Sequence, residues 1–202
     1  MIEIKKIHKS FSDKVIFSDF SFTIQDGDFI VFSGNSGCGK TTLLNMIGGL
    51  DKPDEGSIIV DGCNIYEMKK TRDYFTYKIG FLFQNFALIE NKTVRENIEM
   101  VQKKARSGVS LSDALNFVGI LDKMDTEIYK LSGGEQQRVA IARLIFKKCD
   151  IILADEPTGS LDMGNTKLVM QLLHQLNDKG KTIILVTHNE KIIESERHVV
   201  KL

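Results

Sequence analysis

The eight residues "GNSGCGKT" (34–41) constrain this chain more than any other stretch. They follow the apolar run "FIVFSG" (29–34) and lead into a helix-like segment at 41–49. The spacing G-x-x-x-x-G-K-[ST] between a strand and a helix is that of a P-loop, whose backbone N–H groups converge on phosphate oxygens at a helix N-terminus. In this reading Gly34, Asn35, Ser36, Gly37, Cys38 and Gly39 form the cradle, and Lys40, Thr41 and Thr42 open the helix. Lys40 reaches the β- and γ-phosphates and the Thr41 hydroxyl ligates Mg²⁺.

Other short apolar runs bounded by turn residues recur along the chain. "SIIVDG" (57–62), "IGFLFQ" (79–84), "DIILADE" (150–156) and "TIILVTH" (182–188) have the length and the Ile, Val and Phe content of buried strands. Helical patterns at 41–49, 93–103, 112–118, 135–147 and 165–178 separate them, the last carrying Leu168, Leu172, Leu173 and Leu176 at helix spacing. Strand–helix alternation predicts an α/β fold around a mostly parallel sheet. The strand-rich stretch 2–60 is expected to add an antiparallel subsheet. The region from about 86 to 147 lacks a strong strand and reads as a helical insertion, inside a core of about 1–85 and 148–202. With 202 residues and 42 % hydrophobic content, one domain with an inserted subdomain is the expected organisation.

Two further motifs carry chemistry. "IILADE" (151–156) is an apolar strand ending in two acids. Asp155 is placed to hold Mg²⁺ beside the phosphates as a Walker-B aspartate. Glu156, next to it, is placed to accept a proton from an attacking water. "LSGGEQQRVAIAR" (131–143) sets Ser132 and Glu135 as a capping box ahead of an apolar helix, with Gly133 and Gly134 leaving N–H groups open to an anion. One triphosphate needs only one cradle. A second anion-binding helix end is useful if it belongs to another copy of the chain and closes the other side.

The order of these words resembles the nucleotide-binding subunit of ABC transporters, and the resemblance covers nearly the whole chain. In that family two subunits sandwich two ATP molecules head to tail. The resemblance implies that Ser132, Gly133 and Gly134 meet the partner's γ-phosphate in trans, with Glu135 where many members have glutamine. Gln84 matches the Q-loop glutamine, which senses Mg²⁺ and the attacking water. Asp162 in "GSLD" (159–162) matches the D-loop and is expected to cross the dimer interface. His188 matches the H-loop histidine at the γ-phosphate, and Phe11 the aromatic that stacks on adenine, where tyrosine is commoner. The words at 44–62, 80–98 and 153–162 look like the branch serving lipoprotein release, macrolide export and bacteriocin export, with cell-division subunits close by.

The implied function is an ATPase subunit that uses ATP and Mg²⁺, dimerises on ATP and drives a membrane permease from the cytoplasmic side, on the inner face of the cell membrane. Runners-up are the ATPase of a cell-division complex, a soluble ABC ATPase and a non-catalytic nucleotide-dependent scaffold. Lys+Arg and Asp+Glu both number 27, so there is no basic excess and no nucleic-acid partner is expected. The runs at 69–72 and 103–104 read as solvated faces. The longest apolar stretches, such as "IILA" and "IILV", are far shorter than a membrane span, and no signal peptide or C-terminal regulatory domain is expected. Contact with the membrane therefore comes through the permease. Cys38, Cys63 and Cys149 form no C-x-x-C pair, which suits a reducing compartment. Phe86, Leu88 and Ile89 have two readings: a groove for a permease helix, or packing of the helical subdomain on its core.

Overall fold

The computed structural model describes residues 1–68 and 71–202, so Lys69 and Lys70 of the basic run lie outside the described residues. Lys103 and Lys104 are exposed, as expected of a solvated face.

The chain builds two sheets. The strands are β1 (Ile2–Phe11), β2 (Lys14–Ile24), β3 (Phe29–Ser33), β4 (Glu55–Val60), β5 (Cys63–Asn64), β6 (Ile79–Leu82), β7 (Ile151–Asp155), β8 (Thr182–Thr187) and β9 (Val199–Lys201). A four-stranded sheet runs β2-β1-β4-β5 and a five-stranded sheet runs β6-β7-β8-β3-β9. The first is antiparallel throughout, and the second is parallel throughout. The mixed α/β class and the N-terminal antiparallel sheet are therefore as expected. β3 is the exception within 2–60: it leaves the antiparallel sheet and inserts between β8 and β9.

The continuous apolar runs follow from burial on both faces. Alternate residues of one strand enter different cores. Ile152 and Ala154 of β7 and Ile183 and Leu185 of β8 join one cluster, with the later helices. Their neighbours Ile151, Leu153, Ile184 and Val186 join the other, with Ile2, Ile4, Ile24, Ile58 and Val60 of the antiparallel sheet.

The helices are α1 (Lys40–Ile47), α2 (Thr71–Asp73, continuing into a π-turn at Tyr74–Lys78), α3 (Val94–Glu99), α4 (Leu111–Phe117), α5 (Gly133–Phe146), α6 (Met163–Asp178) and α7 (Glu190–Ser195). Leu43, Leu44, Met46 and Ile47 of α1 sit in the core shared with the antiparallel sheet. The apolar faces of α3 to α6 close the opposite core. The expected helix at 93–103 is cut short at Glu99, and a 3₁₀ turn follows at Lys103–Ala105. Leu172, Leu173 and Leu176 of α6 are buried, whereas Leu168 faces solvent. No helix among the described residues is long and apolar enough to cross a membrane.

Candidate nucleotide site

The P-loop joins β3 to α1 at the C-terminal edge of the parallel sheet. Gly39 must be glycine: its φ is +104°, and a Cβ there would lie 2.4 Å from Ile16 Cγ2. Lys40 is 8 % exposed and has no carboxylate partner among the described residues. Its ammonium instead donates to the carbonyls of Gly34 at 2.8 Å and Asn35 at 3.0 Å. No carboxylate lies within ion-pair distance of this buried cation among the described residues, although the Asp155 charge acts on it from further away; a phosphate would supply the direct partner that carbonyl dipoles do not.

Across the loop stand Asp155, the last residue of β7, and Glu156, which follows it. The Thr41 hydroxyl donates to Asp155 Oδ1 at 3.1 Å. Burial pushes the Asp155 carboxyl above its ordinary pKa, the Thr41 hydrogen bond pulls it back, and the charge of Glu156 pushes it up again. Glu156 takes a left-handed turn, φ +45°, a conformation costing about 1–2 kcal/mol in a non-glycine residue. That turn sends its carboxylate toward β8. Thr187 Oγ1 donates to Glu156 Oε2 at 2.9 Å, and His188 Nδ1 lies 2.6 Å from Glu156 Oε1.

Thr41, Glu156 and His188 border a cavity of about 940 Å³, whereas Asp155 and Thr187 are not among its lining residues. Phe11, Gln84, Glu156 and His188 line it together with Gly34, Asn35, Ser36, Gly37, Gly39, Lys40, Thr41 and Thr42. Phe11 is half exposed, with the Lys9 ammonium 5.0 Å from its ring centroid. Cys38 lies partly buried within the loop, with its Sγ beside Gly34. Gln84 is not the end of a strand: β6 stops at Leu82, and Gln84 is an exposed turn residue. The chain reverses there, with Phe86 N–H bonded to Phe83 O at 3.1 Å.

The N-terminus of α5 is placed elsewhere. None of residues 132–135 and not Asp162 is among the described residues that line the cavity. Ser132 is the N-cap, and its amide and hydroxyl both donate to Glu135 Oε2, at 2.8 and 2.7 Å. Gly134 is needed for packing: a Cβ would fall 2.1 Å from Asn165 Oδ1. Openness to an anion thus rests with exposed Ser132 and half-buried Gly133. Asp162 caps α6 by accepting from Asn165 N–H at 2.8 Å.

Several contacts escaped the sequence reading, among them Ser33, Glu190 and Ile193 in the cavity lining. Ile16 and Lys201 line the cavity from neighbouring strands. Gln137, fully buried, donates to Pro157 O at 2.6 Å, one residue beyond Glu156. Arg143 donates to Phe86 O at 3.1 Å and Ala87 O at 2.6 Å, two and three residues beyond Gln84. The one available signal was a charge inside "VAIARLIF".

A glycine cradle at a parallel sheet's edge, a buried lysine and facing acids at the end of β7, with β8 between β7 and β3, define a P-loop nucleoside-triphosphate-binding protein. The ABC transporter family profile matches residues 17–159. The macrolide export ATP-binding/permease protein MacB of Campylobacter jejuni is 37% identical over 213 residues, covering 100% of this chain and 33% of that protein. The ABC transporter ATP-binding protein YxdL of Bacillus subtilis is 40% identical over 200 residues, covering 94% of this chain and 78% of that one. The dimeric structure of MJ0796, a bacterial ABC transporter cassette, superposes with a TM-score of 0.87 at 35% identity, covering 100% of this chain and 94% of that chain. The same cassette is also known as a dimer in a post-hydrolysis state bound to ADP and Pi, with a TM-score of 0.84 and 33% identity. This chain belongs to the ABC transporter family and has its ATP-binding cassette fold. It spans about a third of the length of the MacB relatives it matches.

Proposed function

We propose that the chain hydrolyses ATP as the motor subunit of an export or release transporter, with two copies enclosing two ATP molecules and a partner permease in the membrane. The observation that carries this reading is the make-up of the cavity. Lys40, Thr41, Gln84, Glu156 and His188 all line it, while the glycine-rich N-terminus of α5 does not.

The residues present suit Mg·ATP. Thr41 and Asp155 offer hard oxygen ligands 3.1 Å apart, and no group of three or more metal-ligating His, Cys, Asp or Glu residues occurs among the described residues. Mg²⁺ is commonly held by one or two side chains together with substrate phosphates, and Thr41 and Asp155 would hold it here. Bound there, it supplies charge neutralisation on the phosphates. The P-loop amides bind the phosphate chain, and the Lys40 ammonium exchanges its two carbonyls for phosphate oxygens. Glu156 accepts the proton of the attacking water. Thr187 and His188 hold the Glu156 carboxylate, and His188 is free to turn its other ring nitrogen toward the γ-phosphate. Gln84 orients the water. Ser132 and Gly133 of a second copy cover the open side, and Asp162 approaches across the same interface. Phe11 offers its exposed face to adenine.

The export or release reading rests on the likeness to macrolide-export proteins and places the chain on the inner face of the membrane through its permease. The test has two arms. Lys40→Ala, Glu156→Gln and His188→Ala should each remove most Mg·ATP hydrolysis, about 10²-fold or more, and unchanged turnover refutes the assigned roles. A pull-down of the tagged chain from gently solubilised membranes should recover a permease. Recovery of soluble partners only refutes the transporter role and leaves the ATPase chemistry standing.

A further inference from the structure

The segment after Gln84 is bent in an unusual way. Phe86 and Ala87 are consecutive non-glycine residues with φ of +61° and +48°, a left-handed conformation that is rare singly and rarer in pairs. Ala87 N–H closes on Asn85 O at 2.7 Å. Such a turn persists only where its surroundings over-determine it.

Two side chains do so. Asn97, fully buried, accepts from Ile89 N–H at 2.8 Å and donates to Ile89 O at 3.1 Å, anchoring the far end. Arg143, in the last turn of α5, donates to the carbonyls of both left-handed residues. It has no carboxylate within ion-pair distance among the described residues, so its cation is devoted to this turn. The same helix touches the turn at its other end. A Cβ on Gly133 would lie 3.7 Å from Phe86 Cζ. Gln84 itself reaches toward the loop after Glu156: a Cβ on Gly159 would lie 3.2 Å from Gln84 Nε2.

We infer that Arg143 is a positioning residue for hydrolysis, latching the left-handed turn at Phe86–Ala87 so that Gln84 projects into the nucleotide cavity. The inference rests on the catalytic reading of Gln84 given above and goes beyond it. Without the latch the turn relaxes to ordinary backbone, which re-aims Gln84 while leaving the P-loop, and hence ATP binding, in place. Because α5 begins with the helix end assigned to the partner's nucleotide, the latch also ties that end to this copy's own Gln84.

The test compares steady-state Mg·ATP hydrolysis by the full chain, wild type, Gln84→Ala, Arg143→Ala, Arg143→Lys and the double variant Gln84→Ala/Arg143→Ala. Arg143→Ala should lower kcat roughly 10- to 100-fold, the range of a displaced positioning group, with KM for ATP within about twofold. Arg143→Lys keeps the cation but is shorter and lacks the planar fork that meets the two carbonyls from separate nitrogens, and should recover part of kcat. The double variant should be no slower than Gln84→Ala alone, because both act through one group. Multiplying effects, a rise in KM equal to the fall in kcat, or unchanged turnover in both Arg143 variants overturns the latch. If Gln84→Ala hydrolyses ATP as fast as wild type, the reading of Gln84 fails and the latch fails with it. Circular dichroism on each variant checks folding. Should Arg143→Ala not fold, Arg143→Lys with and without Gln84→Ala decides by the same non-additivity.

Discussion

At the scale of single residues, the site residues legible in the sequence are those that interrupt an apolar run at its end. Asp155, Glu156 and His188 close strands whose other residues are buried, so a polar group there needs a reason. Asp155 gives a prediction with a definite sign. Its folded pKa is raised, chiefly by burial, so the ionised form is penalised in the fold, and stability is lost as pH rises through that pKa. Asp155→Asn should therefore raise the Tm of the nucleotide-free protein at neutral pH, by about 1–3 °C. The same variant should lose the stabilisation that Mg·ATP confers on wild type. Thermal melts with and without Mg·ATP check both halves, and a lower Tm in the absence of nucleotide contradicts the burial argument. Gly134→Ala should be destabilising, because its Cβ would meet Asn165 Oδ1 at 2.1 Å. Gly133→Ala has 3.7 Å of room and should fold normally, so denaturant titration separates the two. Neither difference was visible in the sequence, where both glycines looked equally open. The same holds for Arg143, whose acceptors lie 56 and 57 residues away in the chain.

At the scale of elements, the central strands of the parallel sheet were readable because both faces are buried and their interior residues are apolar. Boundaries were less so. The apolar pattern of 79–84 continues past Leu82, but the backbone turns there, since Phe83 and Phe86 close a hydrogen-bonded turn. The capping box of α5 was legible from S-x-x-E alone and is formed. Glu135 accepts from the Ser132 hydroxyl and amide, and these bonds hold its carboxyl below the ordinary pKa. Its contribution is present above the unfolded pKa and is lost as pH falls through the folded one. The stability gap between wild type and Glu135→Gln should accordingly close as the solution is acidified below the usual glutamate range, and a gap that widens there refutes it. Ser132→Ala removes the cap and should cost about 1 kcal/mol in urea unfolding. Of the residues with two readings, Leu88 packs on the core cluster, Phe86 is half-buried and Ile89 is 37% exposed.

At the scale of the molecule, one copy presents half of a site in the proposed reading. Isolated chains should be mostly monomeric, and Glu156→Gln should accumulate as a dimer with Mg·ATP, because the nucleotide bridges the copies and is not consumed. Light scattering with and without nucleotide checks this, and a monomer under all conditions removes the trans role of Ser132 and Gly133. The two copies meet, in this reading, at exposed residues such as Ser132, Asp162 and Met163, the last 71% exposed.

What the sequence determined by itself was local chemistry: the P-loop, the paired acids, the capped helix and the apolar periods that require a sheet buried on both faces. Each depends on residues a few positions apart, so spacing alone carries it. Tertiary structure decided what long-range contact sets. It moved β3 out of its neighbours' sheet and into the parallel one. It turned Glu156 left-handed toward Thr187 and His188. It made Gly134 a packing requirement, and it spent the Arg143 cation on two main-chain carbonyls. Such outcomes depend on which groups burial leaves without water, and a buried donor takes whatever acceptor the fold brings within reach.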